Sequence, residues 1–311
     1  MLSKGFVLDP YHELLPDYKI CPFSNSDLVF NKNIQPLNLV DNYFRTRFGH
    51  NQFYYTENGR QAIAIALDHY NLNKNDVITI LTTTNNFYIS SCVTNEIEKI
   101  CKWSRNVERN TKLIFVNHEF GFPYEDLDNL LKFNLPIIED CAHSFFSKDK
   151  KSLIGKVGDF VIYSFPKMFP IQVGGLLVSN IHTQKTIIPT LPLNQINYIK
   201  NVISFYINDY FKIIENRTQN YLYLEKIMGE LNIYPRFDIS SNVIPGVFMF
   251  KSSIQINYPE LKIHLYKHGI QCSVFYGEQS FFIPNHQNLN FEDLNYFKEV
   301  IREFITNRNN I

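Results

Sequence analysis

Hydrophobic positions in this chain change their period several times. From Leu37 the run LNLVDNYFRTRF carries apolar residues at helical spacing up to Gly49, a suitable C-cap; FYYTENG follows, and RQAIAIALDHY is helical again, with Asn58 or Gly59 at its start. DVITIL is then an unbroken apolar run of strand length, the pattern of a strand covered on both faces. FYISSCVTNEIEKI reads as a helix, TKLIFVNH as a strand, YEDLDNLLKF as a helix and LPIIED as a strand. GDFVIYSF and GGLLVSN are two further strands.

Strands alternating with helices to about residue 180 predict an α/β fold with a mainly parallel, doubly wound sheet. The pattern then changes. Residues 194–231 are dominated by long helical signal, followed by short strand candidates around VIPGVFMF, a helix PELKIHLYKHG, a strand IQCSVFY and a closing helix FEDLNYFKEVIREFI. The expected organisation is a large α/β domain over residues 1–190, irregular at its proline-interrupted start, and residues 191–311 forming long helices and a smaller C-terminal α+β domain.

Composition narrows the function classes. The 30 basic residues are balanced by 30 acidic ones, so no net field recruits nucleic acid or an anionic membrane. Five scattered cysteines without a CxxC pair indicate neither a zinc knuckle nor a disulfide framework, and no metal is expected. The N-terminus lacks an apolar signal-like stretch and no apolar run reaches membrane-spanning length, so a cytoplasmic location is the expectation.

Three features carry chemistry. Asp140 ends the strand of LPIIED, where open α/β sheets bind ligands, although an aspartate there also serves as a turn cap; His143 lies three residues on. TENGRQAIAIAL places a glycine at a helix start, where exposed N–H groups and the helix dipole favour phosphate, and Arg60 adds charge. It matches neither the dinucleotide fingerprint nor the P-loop. Lys167 sits between the strand ending in Ser164 and the Gly174-Gly175 turn; it is either a surface lysine or an amine held for covalent chemistry. Together a phosphate seat, a strand-end acid and a strand-end amine are what pyridoxal 5'-phosphate requires: the acid pairs with the ring nitrogen and the lysine bonds the aldehyde.

The ordered set TENGRQAIAIAL, NDVITIL, TKLIFVNHEFGFPYEDLDNLL, LPIIEDCAHS and GKVGDFVIYSFPKMFPIQVGGLLVSN resembles the DegT/DnrJ/EryC1/StrS family of pyridoxal-phosphate (PLP) sugar aminotransferases, most closely over residues 40–180. The resemblance implies PLP-dependent transferase fold type I, the aspartate aminotransferase-like fold with a seven-stranded-type sheet. It implies Lys167 as the Schiff-base lysine, Asp140 on the pyridine nitrogen and His143 near the phenolic oxygen. Ser164 would hold the phosphate with the backbone of Gly59 and Arg60, and Phe87 (or its neighbour Tyr88) would be the stacking aromatic. It further implies transfer of an amino group from an amino acid, glutamate in the first place, to a nucleotide-linked keto-sugar, by a homodimer with shared active sites.

The sequence departs from the family pattern in places. Only Phe165 and Pro166 separate Ser164 from Lys167, Val173 replaces an acid before the glycine pair, and Arg60 replaces a small hydroxyl residue. The asparagine-arginine loop has no match in IIPTLPLNQINY. A sugar dehydratase on the same scaffold and a non-catalytic regulator are the alternatives. Lys167 opposes the first, because those relatives carry histidine at that position.

Overall fold

The structure, a computed structural model, describes residues 16–181, 191–240 and 242–308. Residues 1–15, the start of the irregular N-terminal segment, lie outside it. So do residues 187–190 of IIPTLPLNQINY and the segment just before the expected boundary at residue 190.

Seven strands form the larger sheet: β1 (Gln52–Thr56), β2 (Val77–Thr82), β3 (Lys102–Ser104), β4 (Thr111–Asn117), β5 (Ile137–Asp140), β6 (Phe160–Ser164) and β7 (Gly175–Ser179), in the spatial order β1-β7-β6-β5-β4-β2-β3. Strands β3, β2, β4, β5 and β6 run parallel, and β7 is antiparallel to both β6 and β1. The unbroken apolar runs conceal a period of two. Leu113, Phe115, Ile138, Phe160 and Ile162 enter one core, while Ile114, Val116 and Ile137 enter another and Val161 and Tyr163 a third. A sheet buried on both faces needs apolar residues at every position, which is why no alternation shows in the sequence.

Helices cover both faces. They are α1 (Asn25–Lys32), α2 (Val40–Phe48), α3 (Gly59–Asp68), α4 (Ser91–Glu98), the one-turn α5 (Leu127–Leu130) and α6 (Leu193–Ile207), whereas α7 (Tyr210–Gly229) packs mainly through Tyr221, Leu224, Ile227 and Met228 into the core that holds Phe248 and Phe281. The long helical signal of residues 194–231 is two helices, parted at Asn208–Asp209. YEDLDNLLKF forms only α5 and a 3-10 turn that ends at Asn134 in the left-handed region, φ 50°. FYYT, which the pattern assigned to no element, is most of β1.

A second, antiparallel sheet of four strands follows: β8 (Ile233–Pro235), β9 (Val247–Ser252), β10 (Ser273–Phe275) and β11 (Ser280–Pro284), ordered β10-β11-β9-β8. Helices α8 (Tyr258–Lys267) and α9 (Phe291–Arg308) pack on it, around Phe248, Phe250, Leu261, Leu265, Phe281 and Phe297. The N-terminal segment joins this unit: Tyr18 bridges to Ile270, with Gln271 N–H donating to Tyr18 O at 2.8 Å.

Candidate active site

The carboxyl ends of β4, β5 and β6 open onto a cavity of about 340 Å³. Its wall includes Gly59, Arg60, Asp140, His143, Ser164 and Lys167, six of the seven residues singled out from the sequence. Loop closure after each parallel strand delivers these side chains to one edge, where fold and chemistry meet.

At the phosphate seat, Asn58 caps α3: its Oδ1 accepts from Gln61 N–H at 3.0 Å, and Gln61 Oε1 accepts from Glu57 N–H at 2.8 Å. The first-turn N–H groups of Gly59 and Arg60 have no intrahelical partner to find. A Cβ on Gly59 would meet Ser164 Cβ at 3.4 Å, so the helix start and the β6 hydroxyl are in contact. The Gly174-Gly175 turn is required by the same junction. Gly174 has φ +105°, and a Cβ on Gly175 would lie 2.7 Å from Thr56 Oγ1 and 3.0 Å from the carbonyl carbon of Asn58.

Asp140 is buried at the end of β5. Its Oδ2 accepts from Asn117 Nδ2 at 2.9 Å and its Oδ1 from Ala142 N–H at 3.0 Å. Burial raises its pKa; the Ala142 N–H, His118, Asn117 and the Lys167 ammonium all oppose that rise. His143 is held well below the usual imidazole range, by burial first and then by the charges of Lys167 and Arg217, so the ring is neutral. Its Nδ1 is enclosed and has no hydrogen-bond partner among the described residues.

Lys167 closes the 3-10 turn Phe165–Lys167 that follows β6. The two-residue spacing from Ser164 thus still brings the amine into the cavity. Its carbonyl accepts from Arg217 of α7 at 2.9 Å, and the next carbonyl, of Met168, accepts from Gln287 Nε2 at 2.9 Å. Sequence reading passed over Arg217, which is fully buried, because an arginine among the polar residues of ENRTQN reads as part of a solvent face.

Phe87 is corrected. It is 77% exposed and does not reach the cavity, whereas Tyr88 lines it, with its ring 4.9 Å from that of Phe275. The helix expected from Phe87 starts only at Ser91, because the Ser90 hydroxyl caps it by accepting from Cys92 N–H. That leaves Phe87 on the loop surface. Sequence reading also passed over Glu119 and Phe120, both on the cavity wall. Glu119 is buried, and burial raises its pKa; Oε2 accepts from Thr84 N–H at 2.8 Å while Oε1 is enclosed without a partner. Phe120 sits in the left-handed region at φ 53°, held there by Gly246 N–H on its carbonyl at 2.6 Å.

Residues 40–223 match the family described as "Putative PLP-dependent aminotransferase". The chain belongs to this family.

Among solved structures, this PLP-dependent aminotransferase is similar to the aminotransferase TlmJ from Streptoalloteichus hindustanus, with a TM-score of 0.75 at 11% identity over 93% of this chain and 99% of that one. It is also similar to a DegT DnrJ EryC1 StrS aminotransferase from Brucella abortus, with a TM-score of 0.66 at 14% identity over 90% of this chain and 93% of that one. Its fold is thus fold type I, as the sequence implied. A stretch of 82 residues is 34% identical to GDP-perosamine synthase from Escherichia coli O157:H7, covering 24% of this chain and 22% of that protein. The chain therefore matches less than a quarter of the length of this curated relative.

The residues present suit the family's cofactor. The unpartnered Nδ1 of His143, the contact between Gly59 and Ser164 at an open helix start, and a buried carboxyl facing a lysine each supply a group that pyridoxal phosphate needs. No helix among the described residues is long and apolar enough to cross a membrane.

Proposed function

We propose that this aminotransferase moves an amino group from an amino acid, glutamate first among donors, to a nucleotide-linked keto-sugar. The observation that carries the site assignment is the convergence of Lys167, Asp140 and the Asn58-Gly59 helix start, with Ser164, on one cavity. The stretch of likeness to GDP-perosamine synthase and the fold shared with DegT/DnrJ/EryC1/StrS enzymes support the sugar as acceptor.

Pyridoxal phosphate supplies an aldehyde that amines can bond and a ring that takes up the electron pair left on a substrate carbon. Ser164 Oγ and the N–H groups of Gly59 and Arg60 would hold its phosphate, with the helix dipole in support. The Asp140 carboxylate, steadied by Asn117 and Ala142, would keep the proton on the ring nitrogen. Neutral His143, on the cavity wall, would lie beside the ring's phenolic oxygen. Lys167 would be the amine that holds the aldehyde, and as general base and acid it would carry a proton to and from the substrate carbon. The active unit is a homodimer whose sites are shared, and sedimentation of the loaded protein tests that part.

The test is optical. Protein loaded with pyridoxal phosphate absorbs in the near-visible region, bleaches with borohydride, and yields a modified Lys167 peptide; Lys167→Ala does not. Glutamate converts the absorbance, and keto-sugar nucleotides restore it. Protein that stays colourless with excess cofactor overturns the site assignment. Conversion by glutamate without recovery on any keto-sugar nucleotide leaves the aminotransferase and rejects the acceptor.

A further inference from the structure

Two clusters outside the proposed chemistry bring imidazole and carboxylate together. In the first, His118, Glu139 and Cys141 are fully buried. Glu139 is already consumed there, accepting from the N–H groups of Gly155, Val157 and Gly158 and from His118 Nε2, while His118 Nδ1 accepts from Tyr124 N–H. That cluster is a loop clasp with no free lone pair directed at an ion.

The second differs. His264 and His268 lie four residues apart, on one side of the C-terminal end of α8, and their rings are 4.4 Å apart. His264 Nε2 lies 3.1 Å from the carbonyl of Val300, and His268 Nδ1 lies 2.8 Å from the carbonyl of His264. A carbonyl can only accept, so both of those nitrogens carry the proton. Nδ1 of His264 and Nε2 of His268 are left as lone pairs. This is the arrangement of metal-binding imidazoles, in which the far N–H is tied to a carbonyl and fixes the tautomer.

Glu303 reaches the same place from α9. One ligand atom of each of the three residues lies within 4.8 Å of the others. Tetrahedral zinc asks for separations of about 3.3 Å, given bonds of about 2.0–2.1 Å, and the exposed Glu303 side chain has the freedom to close that gap. The site lies at the negative end of the α8 dipole, which favours a cation. None of the three residues lines the cavity.

We propose that His264, His268 and Glu303 form a zinc-type divalent metal site that ties α8 to α9 and plays no part in the transfer reaction. Two imidazoles and one carboxylate select a borderline cation such as Zn²⁺ over Mg²⁺ or Ca²⁺, with water completing the shell.

The experiment is zinc titration of the full-length, cofactor-loaded protein against a chromophoric chelator at pH 7.5, alongside Mg²⁺ and Ca²⁺. One equivalent of Zn²⁺ should bind and raise the melting temperature. His268→Gln and Glu303→Gln should each weaken it at least about 10-fold, and the double variant should abolish it, with the cofactor absorbance unchanged. Both replacements alter side chains at least partly open to solvent, and circular dichroism confirms folding. Binding weaker than about 100 μM in the unaltered protein overturns the proposal. So does equal zinc binding by the double variant, since the ion would then sit elsewhere, for example on the exposed Cys92.

Discussion

The guanidinium of Arg217 donates to the carbonyl oxygen of Lys167 at 2.9 Å, and through Gln287 Oε1, at 2.8 Å, it is linked to the side chain that holds Met168. Two consecutive peptide groups of the lysine turn are thus fastened by a helix and by a loop beyond β11. Among the described residues no carboxylate pairs with Arg217, and burial brings its pKa down to about 9.

Arg217→Lys keeps the charge, but a single ammonium cannot span both Gln287 and Lys167. Turnover should fall on the order of 10- to 100-fold through misplacement of the amine. Arg217→Gln should fall further. Borohydride trapping at Lys167 should persist in both, which separates a positioning fault from loss of the amine. Equal turnover in all three proteins would remove Arg217 from this role.

Acid should weaken the fold from below pH 6.5. Burial, followed by the charge of Arg217, pushes the buried His286 down to about 3, against 6.5 for an ordinary imidazole. The unfolded chain therefore binds the extra proton first. Stability rises with pH across that window and is lost as pH falls through it, by about 1.4 kcal/mol per unit for one such group. His143 acts in the same direction. Urea midpoints at pH 7, 6 and 5 should decline less steeply in His286→Asn; parallel slopes would rule this source out.

Phe87→Ala should leave stability within about 0.5 kcal/mol and the cofactor absorbance unchanged, as its ring lies in solvent. Tyr88→Ala should shift the absorbance maximum or weaken cofactor binding, because Tyr88 forms part of the cavity wall. Spectra of the two loaded variants decide between the neighbours.

Gly175→Ala should cost about 1–3 kcal/mol, since its Cβ meets Thr56, Tyr163 and Asn58 at 2.7–3.0 Å. Asn58 caps the phosphate seat, so cofactor affinity should fall as well. Gly49→Ala is the control: φ is +65° and nothing lies within 4 Å, so about 1 kcal/mol is lost with affinity intact. Denaturation and cofactor titration give both quantities.

Strands β2, β4, β5, β6 and β7 were legible because a doubly covered sheet writes unbroken apolar runs. Asp140 and Lys167 were legible because they interrupt or follow such runs at the strand ends. β1 was not, since five residues gain strand character only by pairing with β7, more than 100 positions later. Phe87 was misplaced by a helix start that one serine hydroxyl decides. Arg217 could not be found from local pattern, as its partners Pro245, Asn285 and Gln287 come from loops 28–70 residues away.

Ile20 forms part of the cavity wall, and its N–H rests on the side chain of Gln271, 251 residues along the chain. During translation the amine and the acid are laid down well before that support exists. A nascent protein paused near residue 240 would therefore hold its reactive lysine beneath an unfinished rim. Cofactor meeting such a chain would encounter a seat without a side wall, so tight capture should await release of the last seventy residues.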